Sequence, residues 1–85
     1  MNRIAILSIL VDKATDENVS KINGILHEYR EYVIGRMGVP DKRHSVNIIS
    51  VALSAPLDTL NGLTGKLGKI DDVSAKILIS SKEYE

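Results

Sequence analysis

The chain has 85 residues, of which 11 are basic and 11 acidic, so its formal net charge is zero. A domain of this length buries only roughly 60–65% of the surface that its unfolded chain exposes, so we expect oligomerisation to supplement a small core. The balanced charge argues against direct nucleic-acid binding, and the absence of cysteine excludes disulfides and thiolate metal sites and favours a reducing cytoplasm.

The first apolar segment runs from Ile4 to Val11. It meets Asp12 at once and lacks a small-residue cleavage site, so we interpret it as a strand rather than a signal peptide. Apolar residues alternate onto both faces of this strand, which predicts a central position in a sheet. No segment approaches the roughly 18 apolar residues of a membrane span, and we expect a cytoplasmic protein with no membrane association.

After this strand, the spacing of apolar residues changes to that of a helix. Val19, Ile22, Leu26 and Tyr29 recur at helical spacing, which predicts a first helix from about Thr15 to Glu31. Thr15 is followed by two acidic residues, a pattern typical of a helix N-terminus.

The next segment is predicted to form a β-hairpin. Its first strand covers Tyr32 to Met37, and its second strand covers His44 to Leu53. The turn between them carries Gly38, Pro40 and Asp41. The second strand is apolar on both faces, so we place it in the centre of the sheet.

The stretch LNGLTGKLGK superficially suggests a phosphate-binding loop. A Walker loop needs a glycine where this chain has Leu60 and a hydroxyl where it has Leu67. The leucine spacing instead predicts a second helix that begins after Pro56. Within this helix, Gly65 suggests that a neighbouring element approaches the backbone closely. We interpret Gly68 as the residue in left-handed conformation that ends the helix.

The last strand, Val73 to Ser80, alternates between apolar and polar residues, as expected of an edge strand with one wet face. The order is then βαββαβ, with the first and third strands central. This order predicts an α+β, ferredoxin-like two-layer sandwich, with a four-stranded antiparallel sheet and two helices on one face.

Two segments, VIGRMGVP (Val33 to Pro40) and LTGKLGKIDDVSAKILIS (Leu63 to Ser80), resemble a family described as regulators of the iron-only hydrogenase system. The resemblance implies an ACT-like fold, related to the C-terminal regulatory domain of the nickel-responsive repressor, as a single regulatory domain over residues 1–85. Asp72 stands where this family tends to have glycine, so a residue less tolerant of positive φ must make that turn.

Two effectors of related proteins are not supported by the residues present. The first strand-to-helix turn, residues 12–14, lacks the glycine that amino-acid-binding ACT domains usually offer to their ligand. The histidine cluster and cysteine of the nickel-responsive relative are also missing, so its nickel site cannot be carried over.

Catalytic and metal-binding signals are weak in this sequence. There is no cysteine nucleophile, no Ser/His/Asp set on plausible elements and no carboxylate pair at a fixed spacing, so we predict no enzymatic activity. His27 falls off the apolar stripe of the first helix and is interpreted as a solvated residue. His44 has only Asp41 nearby, so we predict no metal site and no cofactor.

The segment Gly35, Arg36, Met37 and Gly38 is the strongest candidate site. A glycine within a strand suggests a bulge or a close backbone neighbour. Arg36 projects a guanidinium that can pair with carboxylate or phosphate, which predicts a site for a small anionic ligand or a subunit contact. The alternative is a hairpin edge with a solvated arginine.

The leading hypothesis is a small ligand- or partner-sensing regulatory module. It has no DNA-binding element of its own and acts as a homo-oligomer, a dimer or higher. The oligomer is expected because both faces of the central strands are apolar while two helices can cover only one. The alternative is a structural or protein-interaction subunit without a small-molecule ligand.

Overall fold

In a computed structural model, which describes residues 1–85, four strands and two helices follow the predicted βαββαβ order. The elements are β1 (Asn2–Val11), α1 (Asp16–Glu28), β2 (Val33–Asp41), β3 (Val46–Ala55), α2 (Leu57–Gly68) and β4 (Val73–Tyr84), with a 3₁₀ turn at Arg30–Tyr32. The strands form one antiparallel sheet in the order β2-β3-β1-β4. The ferredoxin-like fold and the central positions of β1 and β3 are therefore confirmed.

Helix α1 begins as predicted and ends earlier. The Thr15 hydroxyl oxygen accepts a hydrogen bond from the Asn18 backbone N–H at 3.2 Å, which satisfies one of the free donors of the first turn. The helix ends at Glu28 rather than Glu31 because the chain tightens into the 3₁₀ turn. After that turn the chain enters β2, which lies at the edge of the sheet.

The β2–β3 hairpin differs from the prediction in the position of its turn. Gly38, Pro40 and Asp41 lie in β2, and His44 lies in the turn rather than in β3. Proline is tolerated in β2 because this is an edge strand, where a missing N–H need not break the ladder. The turn instead uses Ser45, whose φ is +57°.

The end of α2 also differs from the prediction. Gly68 is the last helical residue, and no glycine has positive φ, so its assignment as a left-handed C-terminal residue was wrong. A Cβ atom on Gly65 would meet nothing within 4 Å, so the predicted close approach was wrong as well. The left-handed conformation falls on Asp72, with φ of +64°, just before β4.

The core lies between the helices and one face of the sheet. It contains 14 buried residues, all apolar, and no buried side-chain polar atom lacks a partner. In β1 the buried set is Ala5, Leu7, Ile9 and Val11, so Ile4, Ile6 and Leu10 lie on the other face. Neither helix is long and apolar enough to cross a membrane.

We call the face that turns away from the helices the open sheet face. The pairing register places these residues on it: Ile4, Ile6, Ser8 and Leu10 of β1, Gly35, Met37, Val39 and Asp41 of β2, Val46, Ile48, Ser50, Ala52 and Ser54 of β3, and Ser74, Lys76 and Leu78 of β4. Large apolar side chains on this face are substantially exposed, from 37% for Ile4 to 70% for Leu78.

Candidate functional site: a cationic cleft and the open sheet face

The candidate segment in β2 contains a β-bulge. The register between β2 and β3 shifts between Val33, which is opposite Leu53, and Gly35, which is opposite Ala52. A Cβ atom on Gly35 would meet nothing within 4 Å. Of the two reasons predicted for a glycine here, the structure therefore contains the bulge and not a close neighbour.

The structure divides the four candidate residues between two faces of the sheet. Arg36 and Gly38 are opposite buried residues of β3, Val51 and Ile49 respectively, and lie on the helix side. Gly35 and Met37 belong to the open side, where Met37 is 64% exposed. The division follows from the two-residue period of a strand, so the segment does not form one site.

On the helix side, Arg36 borders a cleft of about 320 Å³ between α1 and β2. The cleft exists because β2 is the edge strand and extends beyond the cover of the helices, so that most of its residues are exposed. We call it the α1–β2 cleft, and it is lined by Asn23, Leu26, His27, Arg30, Val33, Arg36 and Val51.

Two guanidinium groups border this cleft without an acidic partner. Arg36 Nη2 donates to Asn23 Oδ1 at 3.1 Å, and Arg30 Nη1 donates to the His27 carbonyl oxygen at 2.9 Å. Neither arginine takes part in any of the four ion pairs of the structure. Most of their N–H donors are therefore available to an anion.

Sequence reasoning missed three residues of this cleft: Asn23, His27 and Arg30. The structure does place His27 on an exposed surface, as predicted, but that surface borders Arg36. Asn23 and His27 are four positions apart and share one face of α1, and Arg30 follows three positions later, at the start of the 3₁₀ turn. This spacing was the available signal, although it does not say that β2 lies opposite.

A second, smaller cavity of about 240 Å³ continues along β2 and shares Asn23 and Arg36 with the α1–β2 cleft. Its other lining residues include Gly38 and Pro40 of the strand and Val19 of the helix. Together the two cavities form a groove with Arg36 near its middle.

The histidine in the hairpin turn has a structural partner. His44 Nδ1 lies 2.9 Å from Asp41 Oδ2, while Asp41 Oδ1 accepts the Arg43 backbone N–H at 3.0 Å. The carboxylate thus organises the turn. No group of three or more histidine, cysteine or acidic residues is arranged to hold a metal ion.

Lys66, in the stretch that only superficially suggests a phosphate-binding loop, connects the two helices. Its Nζ lies 3.3 Å from Glu28 Oε2 and 5.1 Å from the centre of the Tyr29 ring, both on or next to α1. The pKa of Lys66 is raised above its ordinary value, first by hydrogen bonding to the Tyr29 side chain and then by Glu28. The ammonium group therefore has local partners at the end of α1.

The open sheet face is organised in cross-strand rows. One row is apolar at three positions, Val39, Ile48 and Leu10. Another row places Ile6 between Ala52 and Leu78. Between these rows lies a more polar one, formed by Met37, Ser50, Ser8 and Lys76. The apolar rows make this face a candidate protein-contact surface.

The helices on one face, the βαββαβ order and the open sheet face together define a small domain of the ACT-like, ferredoxin-like class. Residues 3–77 match the family described as "Iron-only hydrogenase system regulator, putative". The chain belongs to this family, as the two sequence segments had implied. Among curated proteins, none matches this chain.

A solved structure supports this family assignment, and two others share the fold. The uncharacterized protein TM1266 from Thermotoga maritima is similar with a TM-score of 0.90 and 32% identity, over 93% of this chain and 98% of that protein. The formyltetrahydrofolate deformylase of Pseudomonas putida KT2440 is similar with a TM-score of 0.64 and 19% identity, over 88% of this chain and 28% of the enzyme. The formyltetrahydrofolate deformylase of Burkholderia mallei ATCC 23344 is similar with a TM-score of 0.66 and 17% identity, over 87% of this chain and 27% of the enzyme.

The likeness to the two deformylases concerns the fold alone, because the identities are low and this chain spans about a quarter of each enzyme. It adds two independent examples of the same strand and helix arrangement. The family membership rests on the family match and on the Thermotoga protein.

Proposed function

We propose that this protein is a cytoplasmic, non-catalytic regulatory module of the iron-only hydrogenase system, which senses a ligand or a protein partner as a homodimer. The observation that carries the proposal is the family match over residues 3–77. The described domain consists of one sheet and two helices, with neither a recognition helix nor a basic arm for DNA. A regulatory effect on transcription would therefore pass through a partner.

The open sheet face supports the homodimeric part of the proposal. If two copies pack face to face, burying about 600 Å² of apolar surface contributes a gross ~15 kcal/mol at about 25 cal/mol per Å². Association costs several kcal/mol or more of lost motion, which this gross term can offset. The central strands β1 and β3 place no charged residue on this face. Its charged residues, Asp41 and Lys76 among them, lie on the edge strands β2 and β4, so two copies can meet with little charge burial at the centre.

The α1–β2 cleft supports sensing of a small ligand. The alternative, a protein-interaction subunit without any ligand, is favoured by the open sheet face alone. A thermal-shift screen of metabolites separates the two functions, because a compound that binds the folded state raises the midpoint of unfolding. Cleft-dependent shifts favour a sensor, whereas a response only to protein partners favours the interaction subunit.

The regulatory role is tested by deleting the gene in the organism that carries it. We expect a changed level of iron-only hydrogenase activity or transcripts, restored by the wild-type gene. An unchanged level, with hydrogenase expressed, overturns the role in this system. Direct, sequence-specific DNA binding by the purified chain at about 150 mM salt, where nonspecific contacts are weakened, would overturn the requirement for a partner.

A further inference from the structure

The α1–β2 cleft combines an apolar floor with a cationic rim. Leu26 of α1 and Val51 of β3 belong to the buried core, with exposures of 3% and 0%, and Val33 packs against it. Above this floor lie the guanidinium of Arg36 on β2 and that of Arg30, just beyond the end of α1. A ligand in the cleft would therefore meet hydrocarbon below and positive charge at the rim.

No acidic side chain of the protein lines the α1–β2 cleft. Glu28 and Glu31, together with Arg30, line a neighbouring cleft of about 160 Å³. Glu28 is already bound to Lys66 at 3.3 Å. The lining of the α1–β2 cleft contains two arginines and a histidine but no acidic residue, so its local charge is positive although the whole chain is neutral.

The existing hydrogen bonds orient the two arginines without using up their donors. Asn23 holds one Nη of Arg36, and the His27 carbonyl oxygen holds one Nη of Arg30. Each guanidinium has five N–H donors in a planar fork, which matches the two oxygens of a carboxylate or phosphate. Partial orientation lowers the entropy lost when an anion binds.

We propose that the α1–β2 cleft binds a small organic oxyanion, with a carboxylate or phosphate headgroup held by Arg36 and Arg30 and a short apolar body on the floor. The cleft volume of about 320 Å³ lies at the lower end of the range for small-molecule sites, roughly 300–1,000 Å³. The adjoining cavity beside Gly38 gives room for a longer body. This inference rests on the proposed sensing function and names the ligand class for it.

The test uses the whole chain and four probes: inorganic phosphate, acetate, hexanoate and the neutral analogue hexanamide. Binding is followed by amide chemical shifts, which report both affinity and location. We expect hexanoate to bind at least about tenfold more tightly than acetate or hexanamide, which is one decade in the dissociation constant. Phosphate binding tighter than acetate binding assigns the headgroup to phosphate, and the reverse order assigns it to carboxylate.

Arg36→Gln should weaken hexanoate binding at least about tenfold, because it removes the charged fork and retains a polar side chain. Arg43→Gln is the matched control, since Arg43 is an exposed arginine in the hairpin turn. Arg30→Gln provides a second variant at the other side of the cleft. Circular dichroism checks that each variant folds.

The proposal is overturned if hexanamide binds as well as hexanoate, if Arg36→Gln behaves like Arg43→Gln, or if none of the probes shifts cleft amides at about 20 mM, a very weak affinity. These outcomes leave the regulatory role to its own test, because gene deletion reports that role whatever the cleft binds. Conversely, if the cleft binds hexanoate but gene deletion leaves hydrogenase unchanged, the ligand site stands and the regulatory role is overturned.

Discussion

Asp72 occupies a backbone conformation that few residue types adopt easily. Its φ is +64°, and its carbonyl oxygen accepts the Asp12 N–H at 2.7 Å, which ties the turn before β4 to the end of β1. Aspartate and asparagine tolerate the left-handed region better than most other residues with a side chain, and glycine tolerates it best.

Asp72→Ala should lower the free energy of unfolding by about 1 kcal/mol because its Cβ is strained at positive φ. Asp72→Gly should raise it by about 0.5 kcal/mol, since relief of strain outweighs the added freedom of the unfolded chain. Urea denaturation measures both values. Asp71→Ala, at the exposed neighbouring position, is the control, and equal effects at the two positions would contradict a left-handed Asp72.

At the scale of one element, helix α2 carries glycines that its structure does not require. Gly65 and Gly68 have open space around their would-be Cβ atoms, whereas a Cβ on Gly62 would lie 3.5 Å from the Tyr29 hydroxyl oxygen. Glycine in a helix interior costs roughly 1 kcal/mol relative to alanine. The helix is therefore less stable than its fold permits.

Gly65→Ala should stabilise the protein by about 1 kcal/mol, and Gly68→Ala by about 0.5 kcal/mol because the last helical position gains less. Thermal unfolding of each variant measures the change. Destabilisation by Gly68→Ala would instead restore the left-handed helix terminus that the sequence had suggested.

Lys66 links α2 to the end of α1, and its raised pKa gives this link a pH dependence. A group whose pKa is higher in the folded state contributes stability that is fully present below its unfolded pKa, about 10.4 for lysine. The contribution is lost as pH rises through the folded value. Lys66→Met should therefore lower the unfolding midpoint at neutral pH.

The difference between wild type and Lys66→Met should narrow at about pH 11, above the unfolded pKa of lysine. Lys69→Met is the matched control, because Lys69 is exposed and takes part in none of the four ion pairs. A difference that stays constant with pH would mean that packing rather than charge makes the link.

At the scale of the whole molecule, the open sheet face determines the oligomeric state that we propose. Ile6 lies in one of its apolar rows and is 47% exposed within the single chain, so a charged replacement there is tolerated by the monomer. Ile6→Glu should therefore prevent dimerisation without unfolding the chain, because two like charges would face a desolvated interface.

Sedimentation equilibrium at micromolar concentration should give twice the 9.3 kDa chain mass for the wild type and the chain mass for Ile6→Glu. Asn61→Glu, on the exposed surface of α2, is the control and should leave the dimer intact. A wild-type mass of one chain would overturn the dimer and leave the open sheet face to another partner.

Much of the fold could be predicted because hydrophobic period is a local property of the sequence. The apolar run from Ile4 to Val11 and the leucine stripe of α2 each determine an element type without reference to the rest of the chain. Their order then leaves few topologies, since crossovers between parallel-oriented strands are right-handed. Element ends were less predictable, as Glu28 and Pro40 show, because end positions depend on edge location and turn contacts.

The sequence by itself therefore determined the element types, their order and the two-layer class of this protein. Only the tertiary structure decided which apolar face of β1 is covered. Leu7 and Ile6 lie on opposite faces and are both apolar, so the sequence does not show which of them the helices bury. The cleft has the same origin, since Asn23 and Arg36 meet across 13 positions of sequence. Contacts of that kind depend on how α1 lies over the sheet edge, and local sequence patterns do not predict that placement.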